Sequence, residues 1–254
     1  KKIYNVQFKN NILIYESKKS KSYSGFFTKI INDNIKSPSC IINVHQLNVD
    51  VSINHITDRK IISGNESINV VISGESRETL DQCDIFIGTT INSKALINIY
   101  IPYLYMSLTE HKQSINYSDY KNDKSKFCAF MYSANCEHRI KYFNLVSSYK
   151  HVDALGLSCN NMSSCCDRNY NTDTHNWLDQ AVDIYTHYKF VLALENIMCN
   201  NYFTEKLINP IIAGSIPIYW GTPDVFCYIN KKRVIYALDY ENNNELIERI
   251  TEID

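Results

Sequence analysis

The residues best suited to chemistry lie between Tyr188 and Gly221, where an apolar strand pattern, a polar turn and a helical pattern follow one another. Thr204 is a suitable N-cap, so Glu205 and Lys206 are predicted in the first turn of a helix that Gly214 closes. A helix that begins at the carboxyl end of a parallel strand presents unpaired N–H groups and a positive dipole end. The pattern therefore predicts a phosphate site beside a cation and a carboxylate.

A second cation has an equivalent position. Arg139 falls in the first turn of a helix predicted from about Glu137, which follows a strand predicted over residues 127–132. Both cations should therefore reach the same carboxyl edge of one parallel sheet. Taken alone, each of Arg139 and Lys206 is more simply a solvated surface cation.

Three segments favour a binding role for these two cations over a surface role, because the segments resemble the α-1,3-fucosyltransferase family in residue type and spacing. The segments YKFVLALEN, YFTEK and AGSIPIYWG match the family's YKFxLxFEN, YxTEK and AGxxPxxxG. The resemblance also includes VDALG, and it extends from about Val71 to the C-terminus. It implies an inverting transferase with GDP-fucose as donor and a glycan or glycoconjugate hydroxyl as acceptor.

The resemblance also implies roles for individual residues. Arg139 in CEHRIKYF and Lys206 in the TEK triplet become ligands of the donor diphosphate, and Glu205 becomes the acceptor of the ribose hydroxyls. Asn196 and Tyr202 are expected to hold the donor, although a capping amide and a packed ring are the alternatives. Glu195 is expected either to bind donor hydroxyls or to be structural, since a buried charge there needs a partner.

In the N-terminal half, the segment VVISGES resembles a family strand that ends in a glutamate, the proposed catalytic base. Glu75 is therefore the predicted general base, which removes the proton of the acceptor hydroxyl. Glu78, three residues further on, is the alternative carboxylate.

The order of the predicted elements indicates the fold class. Strands and helices alternate in both halves, which is typical of parallel α/β sheets. Together with the resemblance, this predicts a GT-B-like fold, in which two Rossmann-like domains face a central cleft. We predict an acceptor-side domain over residues 1–110, a polar linker over 111–126 and a donor-binding domain over 127–254. The predicted strands cover residues 11–16, 40–44, 68–73, 83–87, 127–132, 152–155 and 189–195.

Composition and short patterns indicate which kinds of partner, compartment and cofactor the chain can have. The 254 residues are 44% hydrophobic with a net charge of -1, so large cores are expected and a nucleic-acid partner is not. No apolar run is long enough for a membrane span, and the compartment is not readable. The odd number of cysteines, 9, favours reduced thiols. No DxD motif is present and no cofactor is required by this scheme, which leaves enhancement by a divalent metal open.

Two alternatives remain at this point. The same fold could use another nucleotide sugar, because contacts to diphosphate and ribose do not read the hexose. A sugar-nucleotide or glycan-binding module without turnover is suggested by the short C-terminal region and by Pro210, which should kink or shorten its helix.

Overall fold

The computed structural model describes residues 13–16, 40–41, 51–55, 68–74, 83–91, 94–102, 124–162 and 177–254. The chain divides into two compact units, Lys1–Ile101 and Pro102–Asp254. The predicted linker, residues 111–126, lies outside the described residues up to position 123. The predicted domain boundaries therefore stay a prediction.

The first unit contains a six-stranded sheet in the order β2-β1-β3-β4-β5-β6, and every pair in it is parallel. The strands are β1 (Leu13–Glu16), β2 (Cys40–Ile41), β3 (Val51–His55), β4 (Ile68–Ser73), β5 (Cys83–Gly88) and β6 (Ala95–Tyr100). Sequence patterns did not predict β3 and β6. The predicted base, Glu75, follows β4 and lies outside the described residues, as does Glu78.

The second unit contains a five-stranded parallel sheet in the order β11-β10-β9-β7-β8. Its strands are β7 (Lys126–Phe130), β8 (Val152–Ala154), β9 (Tyr188–Leu194), β10 (Ile216–Trp220) and β11 (Ile235–Tyr236). Its described helices are α1 (Glu137–Tyr149), α2 (Trp177–Tyr185), α3 (Glu205–Ile212) and α4 (Asn243–Ile253). Short 3-10 turns cover Pro223–Cys227, Lys231–Arg233 and Ala237–Asp239.

Strand β9 is buried on both faces, which explains its nearly continuous apolar sequence. Phe190, Leu192 and Leu194 pack with residues of α1 and α4 on one face. Val191 and Ala193 pack with residues of α2 and α3 on the other. Helices on both faces leave the carboxyl end of β9 as the place where polar groups can meet.

Helix α3 is short, and its ends follow local rules. Thr204 caps its N-terminus, since the Thr204 side chain accepts a hydrogen bond from the Lys206 N–H. Pro210 lies inside this helix of 8 residues and has no N–H to donate. Gly214 follows with a φ of 69°, which favours glycine, and the chain turns into β10.

The described cysteine side chains are free thiols: Cys83, Cys128, Cys136, Cys159, Cys199 and Cys227.

Candidate functional site

The strand order of the second unit places a candidate site between β7 and β9. The order reverses at this pair, because β8 lies to one side of β7 and the strands from β9 onward lie to the other. Open α/β sheets bind ligands outside the carboxyl ends of strands at such a switch point. A pocket of about 240 Å³ lies there, lined by residues that include Tyr132, Arg139, Glu205, Lys206 and Asn209.

Thr204 makes hydrogen bonds with residues at the end of β9 and in the first turn of α3. Its backbone N–H donates to Glu195 Oε1 over 2.7 Å, and its hydroxyl lies 2.8 Å from Glu195 Oε2. The same hydroxyl oxygen lies 3.4 Å from the Lys206 backbone nitrogen, which donates to it. One side chain thus links the end of β9 to the first turn of α3.

Glu195 is fully buried, with 0% of its side chain exposed. Burial raises its pKa to about 7, and the Glu205 carboxylate adds to the rise, while Lys206 and the hydrogen bonds from Thr204 oppose it. Its carboxylate is engaged by Thr204 on both oxygens. This geometry favours the structural alternative for Glu195 over direct contact with donor hydroxyls.

Lys206 lies between two carboxylates. Its Nζ is 2.9 Å from Glu205 Oε1 and 3.8 Å from Glu195 Oε2. Burial lowers the pKa of Lys206, but attraction to Glu205 and then Glu195 outweighs burial and raises the pKa above its ordinary value. At an effective dielectric constant of about 20, unit charges about 4 Å apart attract by about 4 kcal/mol. Lys206 therefore keeps its positive charge at the wall of the pocket.

Arg139 is almost wholly enclosed, with 3% of its surface exposed. Its Nε and Nη2 donate to the Leu194 carbonyl over 3.3 and 3.1 Å, and Nη2 also donates to Asn196 Oδ1. Its guanidinium carbon lies 4.2 Å from the centre of the Tyr132 ring. Since a guanidinium has five N–H donors, the Nη1 group, which lies 3.7 Å from Cys136 Sγ, retains capacity toward the pocket.

Tyr132 and His138 support the same strand end, and sequence reasoning did not select them. The Tyr132 hydroxyl donates to the Leu192 carbonyl and accepts from the Leu194 N–H, each over 2.7 Å. His138 Nε2 lies 2.8 Å from the Glu195 carbonyl oxygen, and its ring stacks on Trp220. The available signals were a tyrosine that ends an apolar strand and a histidine directly before the predicted cation.

The structure brings most of the predicted donor residues together. Arg139, Glu205 and Lys206 line the pocket. Asn196 accepts a hydrogen bond from Arg139, and the Glu195 carboxylate lies 3.8 Å from Lys206 Nζ. Tyr202 is 2% exposed and is not among the pocket-lining residues, so its ring packs in the core. Its predicted contact with the donor stays a prediction, as does the role of Glu75, which the described residues do not include.

Comparison with known proteins decides the family. The family model for the C-terminal part of glycosyltransferase family 10 (fucosyltransferase) matches residues 121–254, which include the whole pocket. The chain belongs to this family. The family predicted from the TEK-type motifs is thereby confirmed.

A relative extends the match toward the N-terminus. The protein named Putative fucosyltransferase R654 of Acanthamoeba polyphaga mimivirus is 47% identical over 207 residues, 82% of this chain and 34% of that protein. Alpha-(1,3)-fucosyltransferase B of Drosophila melanogaster is 40% identical over 67 residues, 26% of this chain and 15% of that protein. Human GDP-fucose protein O-fucosyltransferase 3 is 35% identical over 72 residues, 28% of this chain and 15% of that protein. The chain thus spans about a third or less of the length of these relatives.

Solved structures support the fold class. Crystal structures of an α1,3-fucosyltransferase with GDP and with GDP-fucose resemble this chain at TM-scores of 0.73 and 0.69, with 18% sequence identity. They cover 99% and 98% of this chain, which in turn covers 80% of each. At this identity the likeness concerns the fold alone, and the predicted GT-B-like α/β class is confirmed.

Two features are absent from the described residues. None of the helices in that part of the chain is long and apolar enough to cross a membrane. Across the same residues, no group of three or more His, Cys, Asp and Glu side chains is arranged to hold a metal ion.

Proposed function

We propose that this chain is an inverting glycosyltransferase that moves fucose from GDP-fucose to a hydroxyl of a glycan acceptor. The observation that carries the proposal is the pocket at the switch point of the second sheet. There Arg139 and Lys206, each in the first turn of a helix, lie beside Glu205 in a chain of glycosyltransferase family 10. Cations and helix N-termini suit a diphosphate, and a carboxylate suits ribose hydroxyls.

The reaction follows from these groups. The acceptor oxygen attacks the anomeric carbon as Glu75 removes its proton, and the bond from that carbon to the β-phosphate oxygen breaks. Negative charge then grows on the departing diphosphate, where Lys206 Nζ and the Nη1 group of Arg139 stabilise it. Because attack and departure occur on opposite faces, the configuration at the anomeric carbon inverts.

Donor identity is tested first by ligand-induced stabilisation. A ligand that binds only the folded state raises the unfolding temperature by mass action. GDP and GDP-fucose are expected to raise the melting temperature more than UDP-, CMP- or ADP-linked sugars at equal concentration. A larger shift with a UDP-sugar would assign a different donor and leave the family assignment intact.

Turnover is tested separately, with radiolabelled GDP-fucose and two classes of acceptor. Oligosaccharides are the expected acceptors. Peptides that contain serine and threonine form the second class, because one relative is named a protein O-fucosyltransferase. Binding of GDP-fucose without transfer to either class would favour the binding module over the enzyme.

A further inference from the structure

Glu195 is a buried carboxylate, and among the described residues its one cationic partner, Lys206, lies at the wall of the donor pocket. Its side chain is 0% exposed, and both of its oxygens contact Thr204. The remaining charge balance comes from Lys206, 3.8 Å away, which Glu195 shares with Glu205. Any ligand that draws Lys206 away leaves Glu195 buried without a cation.

Among the described residues, the charges at the pocket sum to zero in the observed arrangement. Two cations, Arg139 and Lys206, stand against two carboxylates, Glu195 and Glu205, when all four groups are ionised. A nucleoside diphosphate adds negative charge to this balanced set. Glu205 is 21% exposed and can turn to solvent or to ligand hydroxyls. Glu195 is 0% exposed, so its carboxylate cannot reach solvent without a change in the surrounding structure.

In the part of the chain that the structure describes, the titratable and charged groups around Glu195 come from α1, α3, β10 and the segment after β7. They are Glu205 and Lys206 of α3, Tyr132 two residues after the end of β7, His138 and Arg139 of α1, and Tyr219 of β10. Burial raises the pKa of Tyr132 and of Tyr219, so both phenols stay neutral near neutral pH. Arg139 is held by the Leu194 carbonyl and by Asn196 and does not approach the Glu195 carboxylate in any described contact. Lys206 is therefore the cation that governs the charge of Glu195.

We propose that Glu195 is a positioning residue that takes up one proton when a nucleotide sugar binds, which frees Lys206 to donate to the diphosphate. The inference rests on the proposed function, because it requires a diphosphate in this pocket. The proton comes from the buffer and goes to a carboxylate oxygen of Glu195. The protonated carboxyl group keeps a hydrogen bond to Thr204, so the N-terminus of α3 stays in place.

The sign of the pH dependence follows from the same contacts. The pKa of Glu195 is about 7 in the structure, and loss of Lys206 together with a new anion raises it further. Binding therefore favours the protonated form. Affinity is highest below about pH 7 and falls above it, by up to about tenfold per pH unit while one proton is taken up.

Calorimetric titration of the whole chain with GDP-fucose measures the proton directly. The sugar nucleotide is the probe because neither of its phosphates titrates near neutral pH, unlike the terminal phosphate of GDP. Titrations at about pH 8 in buffers of different ionisation enthalpy give the number of protons bound with the ligand. The expected result is an uptake approaching one proton for the wild type and none for Glu195→Gln, whose affinity is independent of pH.

Three further variants isolate the group. Glu252→Gln removes an exposed carboxylate that pairs with Arg249, and it is expected to match the wild type. His138→Gln removes the ring whose Nε2 lies 2.8 Å from the Glu195 carbonyl oxygen, and proton uptake is expected to persist in this variant. Glu205→Gln is expected to weaken binding and to keep the uptake.

The outcomes separate the two proposals. Binding of GDP-fucose without proton uptake, or equal uptake in wild type and Glu195→Gln, would overturn the role of Glu195 and leave the donor assignment intact. Absence of any binding heat with GDP-fucose would overturn both. The wild-type proton count and its pH profile decide the question even where Glu195→Gln does not fold.

Discussion

Replacement of Lys206 by methionine tests whether this lysine holds the charge of the buried Glu195. Methionine keeps an unbranched apolar side chain and removes the ammonium group that lies 3.8 Å from Glu195 Oε2. In the wild type the pKa of Glu195 is raised to about 7 in the folded state, against about 4.3 in an unfolded chain. Protonation of Glu195 is therefore linked to the free energy of unfolding.

The sign and size of the effect follow from that linkage. In the wild type, the stability that Glu195 contributes is complete below about pH 4.3, falls as pH rises and is constant above about pH 7. In Lys206→Met the pKa rises further, so the loss continues above pH 7. The extra destabilisation is small at pH 7 and grows with pH to about 3 kcal/mol at pH 9. Loss of the ion pair with the partly exposed Glu205 adds up to about 1 kcal/mol to the destabilisation of Lys206→Met.

Urea unfolding followed by tryptophan fluorescence is a suitable assay, because both tryptophans, Trp177 and Trp220, belong to the second unit. The difference in unfolding free energy between wild type and Lys206→Met is measured at each pH. A difference that stays constant between pH 7 and pH 9 would refute the reasoning. In a Glu195→Gln background the pH dependence of the difference is expected to disappear, since no titrating carboxyl remains.

The other predictions concern binding and transfer. Glu75→Gln is expected to leave GDP affinity nearly unchanged and to lower transfer by about 100-fold or more, measured by calorimetry and steady-state kinetics; full activity would move the base to Glu78 or another carboxylate. Arg139→Ala is expected to weaken GDP binding and to reduce transition-state stabilisation by about 2–4 kcal/mol. It should also lower the melting midpoint, because the Leu194 carbonyl loses a buried donor. GMP is expected to distinguish wild type from Lys206→Ala poorly, since it lacks the β-phosphate; equal losses for GMP and GDP would assign the lysine to fold stability.

Local sequence rules predicted the elements that carry the donor pocket. The apolar run of β9, the Thr204 cap and the Gly214 stop are local signals, and the structure contains all three close to the predicted positions. The predicted helix near Glu137 is α1. These predictions succeeded because caps and strand patterns depend on neighbours within a few residues.

The sequence patterns missed strands in both units. Strands β3 and β6 of the first unit and β10 and β11 of the second were not predicted. Four of the six residues of β6 are exposed, in a run with no alternation of buried and exposed positions. A strand of this kind lacks the period that distinguishes one face of a sheet from the other. Its place beside β5 therefore depends on pairing with that strand rather than on its own sequence pattern.

By itself, then, the sequence determined the family and the α/β class, and it predicted three residues that line the pocket, Arg139, Glu205 and Lys206, because residue type and spacing are properties of the chain. Only the tertiary structure decided what those residues contact. It enclosed Arg139 against Leu194 and buried Glu195 beneath Lys206. Burial and charge balance depend on side chains that approach from separate strands and helices, and the pKa of Glu195 follows from that approach rather than from any local motif.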